Sequence, residues 1–376
     1  MPIWWAILAY TTLVSIFGTL IYKSNKKVLS SPNHDIDTSD CENQRRIGLF
    51  FALLSFALLV FFVGQRSYIF DTFQYQYAYD NYYTGDLSQI KDLFSAENTD
   101  KGKGYTFLLI LFKHFLHGTA NDWFTFLAIF QIIPVVLFFY KYSVNFTLSS
   151  YFFITSGCVL WMLNGIRQFL AVTLILYFVD WIFEKKTIPF VVVVLLATTV
   201  HNTVILWLPV YFLIHLKTWS KKFVVYSVVF TILAFILINS SLFSETNYSY
   251  VGTSGGNGVN PLRVLFMAIT TVLSFVFRKK VKTNDIIDIC VNISLICTEM
   301  YIIGMLTNGV VGRLPVYFEL FNYILLPWII KNAFNEATSK LVKLVICGVF
   351  FLYFCYNMII AGNGVYNSSS LNLFFT

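Results

Sequence analysis

Charge is what this sequence has little of. Only 12% of its 376 residues are Asp, Glu, Lys or Arg, against about 25% in an ordinary soluble domain, while 57% are hydrophobic and the mean hydropathy is +0.69. Such a chain is an integral membrane protein. It also lacks the alternating segments of roughly ten residues from which a membrane barrel is built. Helices must then do the spanning, because lipid satisfies no backbone N–H or C=O. No cofactor fingerprint, zinc-ligand spacing or internal repeat stands out, so neither a cofactor nor a metal is expected. Of six cysteines, Cys158, Cys290, Cys297, Cys347 and Cys355 lie inside apolar runs and Cys41 in a basic loop. No exposed outer pair remains to form a disulfide.

What is present is a succession of apolar runs. A hydrocarbon core of about 30 Å asks for roughly 20 such residues per helix. Runs of this kind lie near 3–22, 47–64, 123–140, 146–162, 166–183, 187–200, 203–216, 223–243, 263–277, 286–306, 314–330 and 344–361. They predict an all-α fold, a polytopic helix bundle with about 12 transmembrane helices, as a single membrane domain over 1–376. The first run has no basic residue before it and Lys23, Lys26 and Lys27 after it, the pattern of a retained anchor rather than a cleaved signal.

Most of the 26 basic residues fall in alternate loops: 23–46, Lys141, Lys185 and Lys186, 217–222, 278–282 and 331–343. Excess Lys and Arg marks the cytoplasmic side. Both termini and the long segment 65–122 are then expected outside. The formal charge of +7 records this topology and gives no reason to expect nucleic acid.

In that frame the stretch "SGCVLWMLNGIRQFLAVTLILYFVDWIF", residues 156–183, poses a question through Arg167. Asn164 reads as an N-cap and Arg167 as a first-turn residue, where the positive helix end disfavours a cation unless an anion lies nearby. The pattern recurs. His201 and Asn202, Pro261 and Arg263, and Arg313 with Pro315 open the other inward-running helices. Helix N-termini with guanidinium groups form an anion site suited to phosphate. Each arginine alone also fits snorkelling to lipid head groups, and His201 alone also fits a buried structural role. His114, His117 and His215 stay unassigned. Glu299 and Glu319, costly inside a membrane unless paired, are expected beside one of the arginines.

The outer segment 65–122 is acidic and aromatic. In "GQRSYIFDTFQYQYAYDNYYTGD", residues 64–86, Tyr68, Phe73, Tyr75, Tyr77, Tyr79, Tyr82 and Tyr83 alternate with polar groups. They suit either stacking on sugar rings or the interfacial aromatic belt. The stretch near 105–117 is too short to span and reads as a re-entrant or amphipathic surface helix. The glycine-rich loop at 244–262 lacks the lysine of a phosphate-cradling loop, and reads as a flexible connection or lid.

The order "RSYIFDTFQY", "GYTFLL", "NGIRQFLA", "HNTVIL" and "GRLPVYF" across about 66–330 resembles the EpsG family of Wzy-type polysaccharide polymerases. Phe70 stands where that family commonly has glycine before the aspartate. The resemblance implies polymerisation of undecaprenyl-diphosphate-linked oligosaccharide repeat units, for O antigen, capsule or exopolysaccharide, at the periplasmic face of the bacterial inner membrane. It implies no nucleotide sugar and no metal. The partners implied are the lipid-linked oligosaccharide and membrane lipid, with a chain-length regulator left open. On this reading Arg167 and Arg313 hold the diphosphate, with Arg66 and Arg263 in support. His201 is the first choice and Asp71 the second for accepting the proton of the attacking hydroxyl, and Asn164, Gln168, Tyr317 and Glu319 assist. An O-antigen ligase shares the donor and differs in acceptor. A flippase would show internal pseudo-symmetry and midplane charges. An O-acyltransferase would place its key residues on the opposite side, and a purely structural membrane protein leaves the clustered cations unexplained.

Overall fold

Among the described residues each apolar run of the sequence is mainly helical. A computed structural model describes residues 2–29, 38–95, 97–98, 100, 102–239, 258–306 and 311–375, so most of the glycine-rich loop at 244–262 lies outside the described residues. In chain order the α-helices are α1 Pro2–Leu29, α2 Thr38–Leu54, α3 Ala57–Gly64, α4 Thr72–Asn81, α5 Ser88–Leu93, α6 Lys103–Leu116, α7 Ala120–Tyr142, α8 Phe146–Thr155 and α9 Ile166–Tyr177. They continue with α10 Val179–Phe183, α11 Thr187–Thr198, α12 Trp207–Ile214, α13 Lys221–Asn239, α14 Pro261–Val276, α15 Asp285–Leu306, α16 Val316–Asn332 and α17 Glu336–Cys355.

Among the described residues five helical spans are long and apolar enough to cross a membrane: Pro2–Leu20, Asn43–Gly64, Ala120–Tyr142, Asp285–Leu306 and Glu336–Ile360. Other apolar helices are shorter, because the backbone breaks inside the runs. The run at 146–162 is interrupted after α8 by Gly157 (φ +78°), and α9 is entered through Gly165 (φ +87°). Both glycines adopt the left-handed conformation that L side chains resist. At Gly157 a Cβ would also meet Asn357 Nδ2 at 2.3 Å. The run at 166–183 is divided between α9 and α10. Such interruptions expose polar backbone within an apolar sequence, which membranes tolerate only where protein or a wet cavity receives it.

The chain forms two compact units. One comprises 1–177, 199–202 and 341–376; the other comprises 178–198 and 203–340. In the first unit, α3 lies close against α7, with no room for a side chain at Gly64, whose Cβ would stand 2.1 Å from Thr125 Oγ1. The segment 65–122 is built largely of α4, α5 and α6, and α6 buries Tyr105, Thr106, Leu109, Ile110 and Phe112. The C-terminal residues form a small antiparallel ribbon, β1 Tyr366–Ser368 and β2 Leu373–Phe375. It is stitched to the turn after α3: Ser67 N–H donates to Asn367 O at 2.8 Å and Tyr366 OH to Phe62 O at 2.9 Å.

In the second unit, α15 packs against α13, α14 and α16. Asn292 Nδ2 in the middle of this core donates to Ile214 O and Leu216 O, both at 2.8 Å, closing the C-terminal end of α12. Helix α16 is buried along nearly its whole length.

Candidate functional site

Arg167 sits in the first turn of α9 with its side chain about one-third exposed (31%). Its guanidinium lies over the Tyr105 ring at 4.9 Å and the Tyr75 ring at 5.6 Å. Nη1 is 3.4 Å from Asp100 Oδ1, a long contact for a charge-assisted bond. Nε is buried and has no hydrogen-bond partner. A buried N–H left unpaired costs free energy, which an incoming acceptor would recover. Only a glycine at 102 lets the arginine lie here, since a Cβ there would stand 2.4 Å from Nη1.

Asp100 was not singled out by the sequence reading. Its Oδ1 accepts from Gly102 N–H at 2.8 Å and its Oδ2 from the Thr106 hydroxyl at 2.6 Å, so it closes the turn that leads into α6. Burial alone would raise its carboxyl, but the Thr106 hydroxyl, the Gly102 N–H and the Arg167 guanidinium outweigh that and hold it below the usual carboxylate range. The signal was available: an Asp two residues ahead of a glycine at the head of a helix is a local turn and cap pattern.

Asp71 is buried, and its Oδ2 accepts the Gly165 N–H at 3.0 Å, fixing the turn from which α9 and Arg167 start. Asn164 lies half-buried in that turn, and Gln168 is buried one position past Arg167. His201 is half-buried between α11 and the 3-10 turn Asn202–Leu206. Its segment belongs to the same unit as Arg167 and is tied to α6 by Gly104 N–H donating to Thr199 O at 2.8 Å. The N-terminal turn of α6 is thus where Asp100, Arg167 and the His201 segment converge.

Arg66 is fully buried. Its Nε donates to Thr72 Oγ1 at 2.9 Å, its Nη1 to Val63 O, and its guanidinium lies 4.6 Å from the centre of the Phe124 ring. The turn it leads into places Tyr68 at φ 53° and Phe70 at φ 48°, where a bulky side chain costs roughly 1–2 kcal/mol relative to glycine. The position at which the family commonly has glycine is one where glycine would sit without strain.

In the second unit, Arg263 at the start of α14 pairs with Glu319 of α16: Nη2 to Oε2 is 3.0 Å and to Oε1 3.3 Å. Tyr301 OH donates to Glu319 Oε2 at 2.7 Å, Tyr323 OH donates to Oε1, and Arg263 Nε reaches Tyr301 OH at 3.2 Å. The arginine partner expected for Glu319 is therefore present. Glu299 differs from expectation: its oxygens meet the hydroxyls of Ser227 at 2.9 Å and Thr231 at 3.2 Å, because α13 offers hydroxyls at that depth. Arg313 ends a 3-10 turn, half-buried, and Tyr317 is buried with its OH 2.9 Å from Thr203 Oγ1.

A cavity of about 420 Å³ in this unit is lined by Lys185, His215, Lys217, Arg278, Asp285 and Asp288 among others. It borders the lysine-bearing loops. His215 there places Nε2 3.0 Å from Ile182 O and Nδ1 2.6 Å from Tyr211 O, a contact set that explains it structurally.

Apolar helices with a half-exposed, partly unsatisfied arginine define a helical membrane protein with a candidate anion site. A model of the EpsG family matches residues 49–371, and the chain belongs to that family, which puts it among membrane proteins of polysaccharide biosynthesis. No curated protein and no solved structure matches it.

Proposed function

We propose that the protein polymerises undecaprenyl-diphosphate-linked oligosaccharide repeat units at the periplasmic face of the inner membrane. The observation that carries the reading is Arg167, a buried unpaired Nε on a side chain that is about one-third exposed and rests on two tyrosine rings. A diphosphate supplies the acceptor this geometry lacks.

In the reaction a hydroxyl of one lipid-linked repeat unit attacks the anomeric carbon of the glycan on another. A new C–O bond forms, the bond from that carbon to the diphosphate oxygen breaks, and undecaprenyl diphosphate leaves with the electron pair. Negative charge grows on the leaving group, so donors aimed there lower the barrier by about 2.7–4 kcal/mol each. Arg167 acts on the diphosphate. Arg66, fully buried on internal partners, supports the site by positioning it. The hydroxyl proton passes to His201, with Asp71 the second choice. The part-exposed Arg167 side chain and the acidic, tyrosine-rich segment beside it favour transfer from a lipid-linked donor over a purely structural role.

The test is reconstitution in proteoliposomes with purified lipid-linked repeat units as donor and acceptor. A ladder of products differing by one repeat, with release of undecaprenyl diphosphate, is expected. Unchanged substrate, with repeat units appearing only on the opposite leaflet, would replace polymerisation by flipping.

A further inference from the structure

Helix α4 carries two aromatic faces. Tyr75 and Tyr79 point inward: Tyr75 packs on Tyr105 at 5.7 Å between ring centres, and Tyr79 is buried with its OH on Gly118 O. On the other face Tyr68, Phe73, Tyr77 and Tyr82 are 57%, 52%, 49% and 62% exposed. Their rings form one continuous row, with successive centres 5.8, 6.2 and 5.6 Å apart.

A row of exposed rings is costly to maintain in water without an occupant. The turn that starts it carries Tyr68 at positive φ, so the first ring is held in place against a backbone preference.

Charge selects the occupant. Between Ser67 and Ile90 there is no Lys or Arg, while Asp80 and Asp86 are present and exposed; Asp71 is buried and exposed Lys91 lies just beyond. An acidic surface repels the anionic phospholipids that interfacial belts meet with Lys and Arg. A neutral sugar polymer meets no such penalty. Pyranose rings present apolar C–H faces that stack on aromatic side chains, and exposed Gln74 and Asn81 flank the row as hydrogen-bonding groups for ring hydroxyls. The spacing of the rings is comparable with the advance per sugar in an extended glycan.

We propose that Tyr68, Phe73, Tyr77 and Tyr82 form a docking track for the glycan chain, held by stacking and separate from the diphosphate site. The proposal rests on the reading of the protein as a polymerase, since that reading supplies a growing glycan.

The test is equilibrium binding, in lipid nanodiscs, of polysaccharide purified from the source strain and trimmed to defined lengths. Replacing three rings together (Phe73→Ala, Tyr77→Ala, Tyr82→Ala) should weaken binding by roughly tenfold or more, most for the longest chains. The ring-preserving pair Phe73→Tyr with Tyr77→Phe should bind like the wild type, which separates lost stacking from misfolding. Glycan affinity unchanged in the triple variant overturns the proposal. If that is joined by a fall in melting temperature that depends on lipid composition, the rings belong to the membrane interface instead. Binding needs no turnover, so the two readings fail separately. Glycan bound by a protein that makes no product ladder sinks the polymerase and spares the track, while a full ladder without ring-dependent binding does the reverse.

Discussion

The carboxylate of Asp71 accepts the backbone N–H of Gly165 at 3.0 Å, joining the start of α4 to the start of α9 across a large sequence separation. Gly165 takes φ +87° there, so the chain turns sharply and α9 emerges with Arg167 in its first turn. The bond is charge-assisted and buried, a kind that contributes about 1.5–3 kcal/mol.

Asp71 therefore has a positioning role that can be separated from proton transfer. Asp71→Asn keeps an oxygen able to accept from Gly165, whereas Asp71→Ala keeps none. Asparagine should preserve both the melting temperature and most of the polymerising activity, and alanine should lose both. An asparagine variant that is stable yet as inactive as alanine would instead assign Asp71 to the chemistry.

The second prediction concerns how Arg167 is held. A Cβ at Gly102 would stand 2.4 Å from Nη1, so Gly102→Ala must displace the guanidinium from between Asp100 and the tyrosine rings. Arg167→Lys keeps the charge but loses the planar fork and its stacking on Tyr105. Both variants should cut product formation nearly as far as Arg167→Ala, by about 100-fold or more. Full activity in the lysine variant would mean that a point charge suffices and that guanidinium geometry is irrelevant.

The all-helical class and the positions of the apolar runs were legible because lipid forces both. The breaks were harder to see. Gly157 and Gly165 look like ordinary glycines until their backbone angles are known, and the division at Phe178 has no strong local signal. The alternation of aromatics at 73, 75, 77 and 79 looks like a strand period. In the helix it separates into Phe73 with Tyr77 outward and Tyr75 with Tyr79 inward, each pair four residues apart. Within the site, Arg167 stood out because a cation in an apolar run is expensive. Asp100 did not, since a carboxylate in a polar loop is common and only the folded turn ahead of α6 brings it to Arg167. The ribbon that pins Ser67 through Asn367 was beyond reach: its bonds join positions some three hundred residues apart.

Asp100 yields a pH dependence of definite sign. Its folded carboxyl lies below the usual range, because the Thr106 hydroxyl, the Gly102 N–H and Arg167 more than offset burial. A depressed carboxyl contributes stability that is fully present above its unfolded value, near 4, and is lost as pH falls through the lower folded value. The melting temperature of the wild type should thus exceed that of Asp100→Asn at pH 6, with the gap closing on acidification toward pH 3. A gap that is constant across this window would mean that the ionised form of Asp100 contributes nothing to folding.

His201 carries the last prediction. Its segment is fastened to α6 through Thr199 and Gly104, so the backbone just before it is held at the helix start near which Arg167 lies. To accept a proton from the attacking hydroxyl it must rest neutral. His201→Gln preserves a hydrogen-bonding side chain but removes a comparable base. At saturating lipid-linked substrate and matched protein level, turnover should fall by about 100-fold or more while donor binding persists, the range expected for a lost general base. The pH–rate profile should change with it: the wild type loses rate as the imidazole protonates on acidification, and the glutamine variant has no such limb. Near-normal turnover in His201→Gln would leave leaving-group stabilisation by the arginines as the main source of rate. His201 would then be a structural residue, kept in place by the fold it helps to tie.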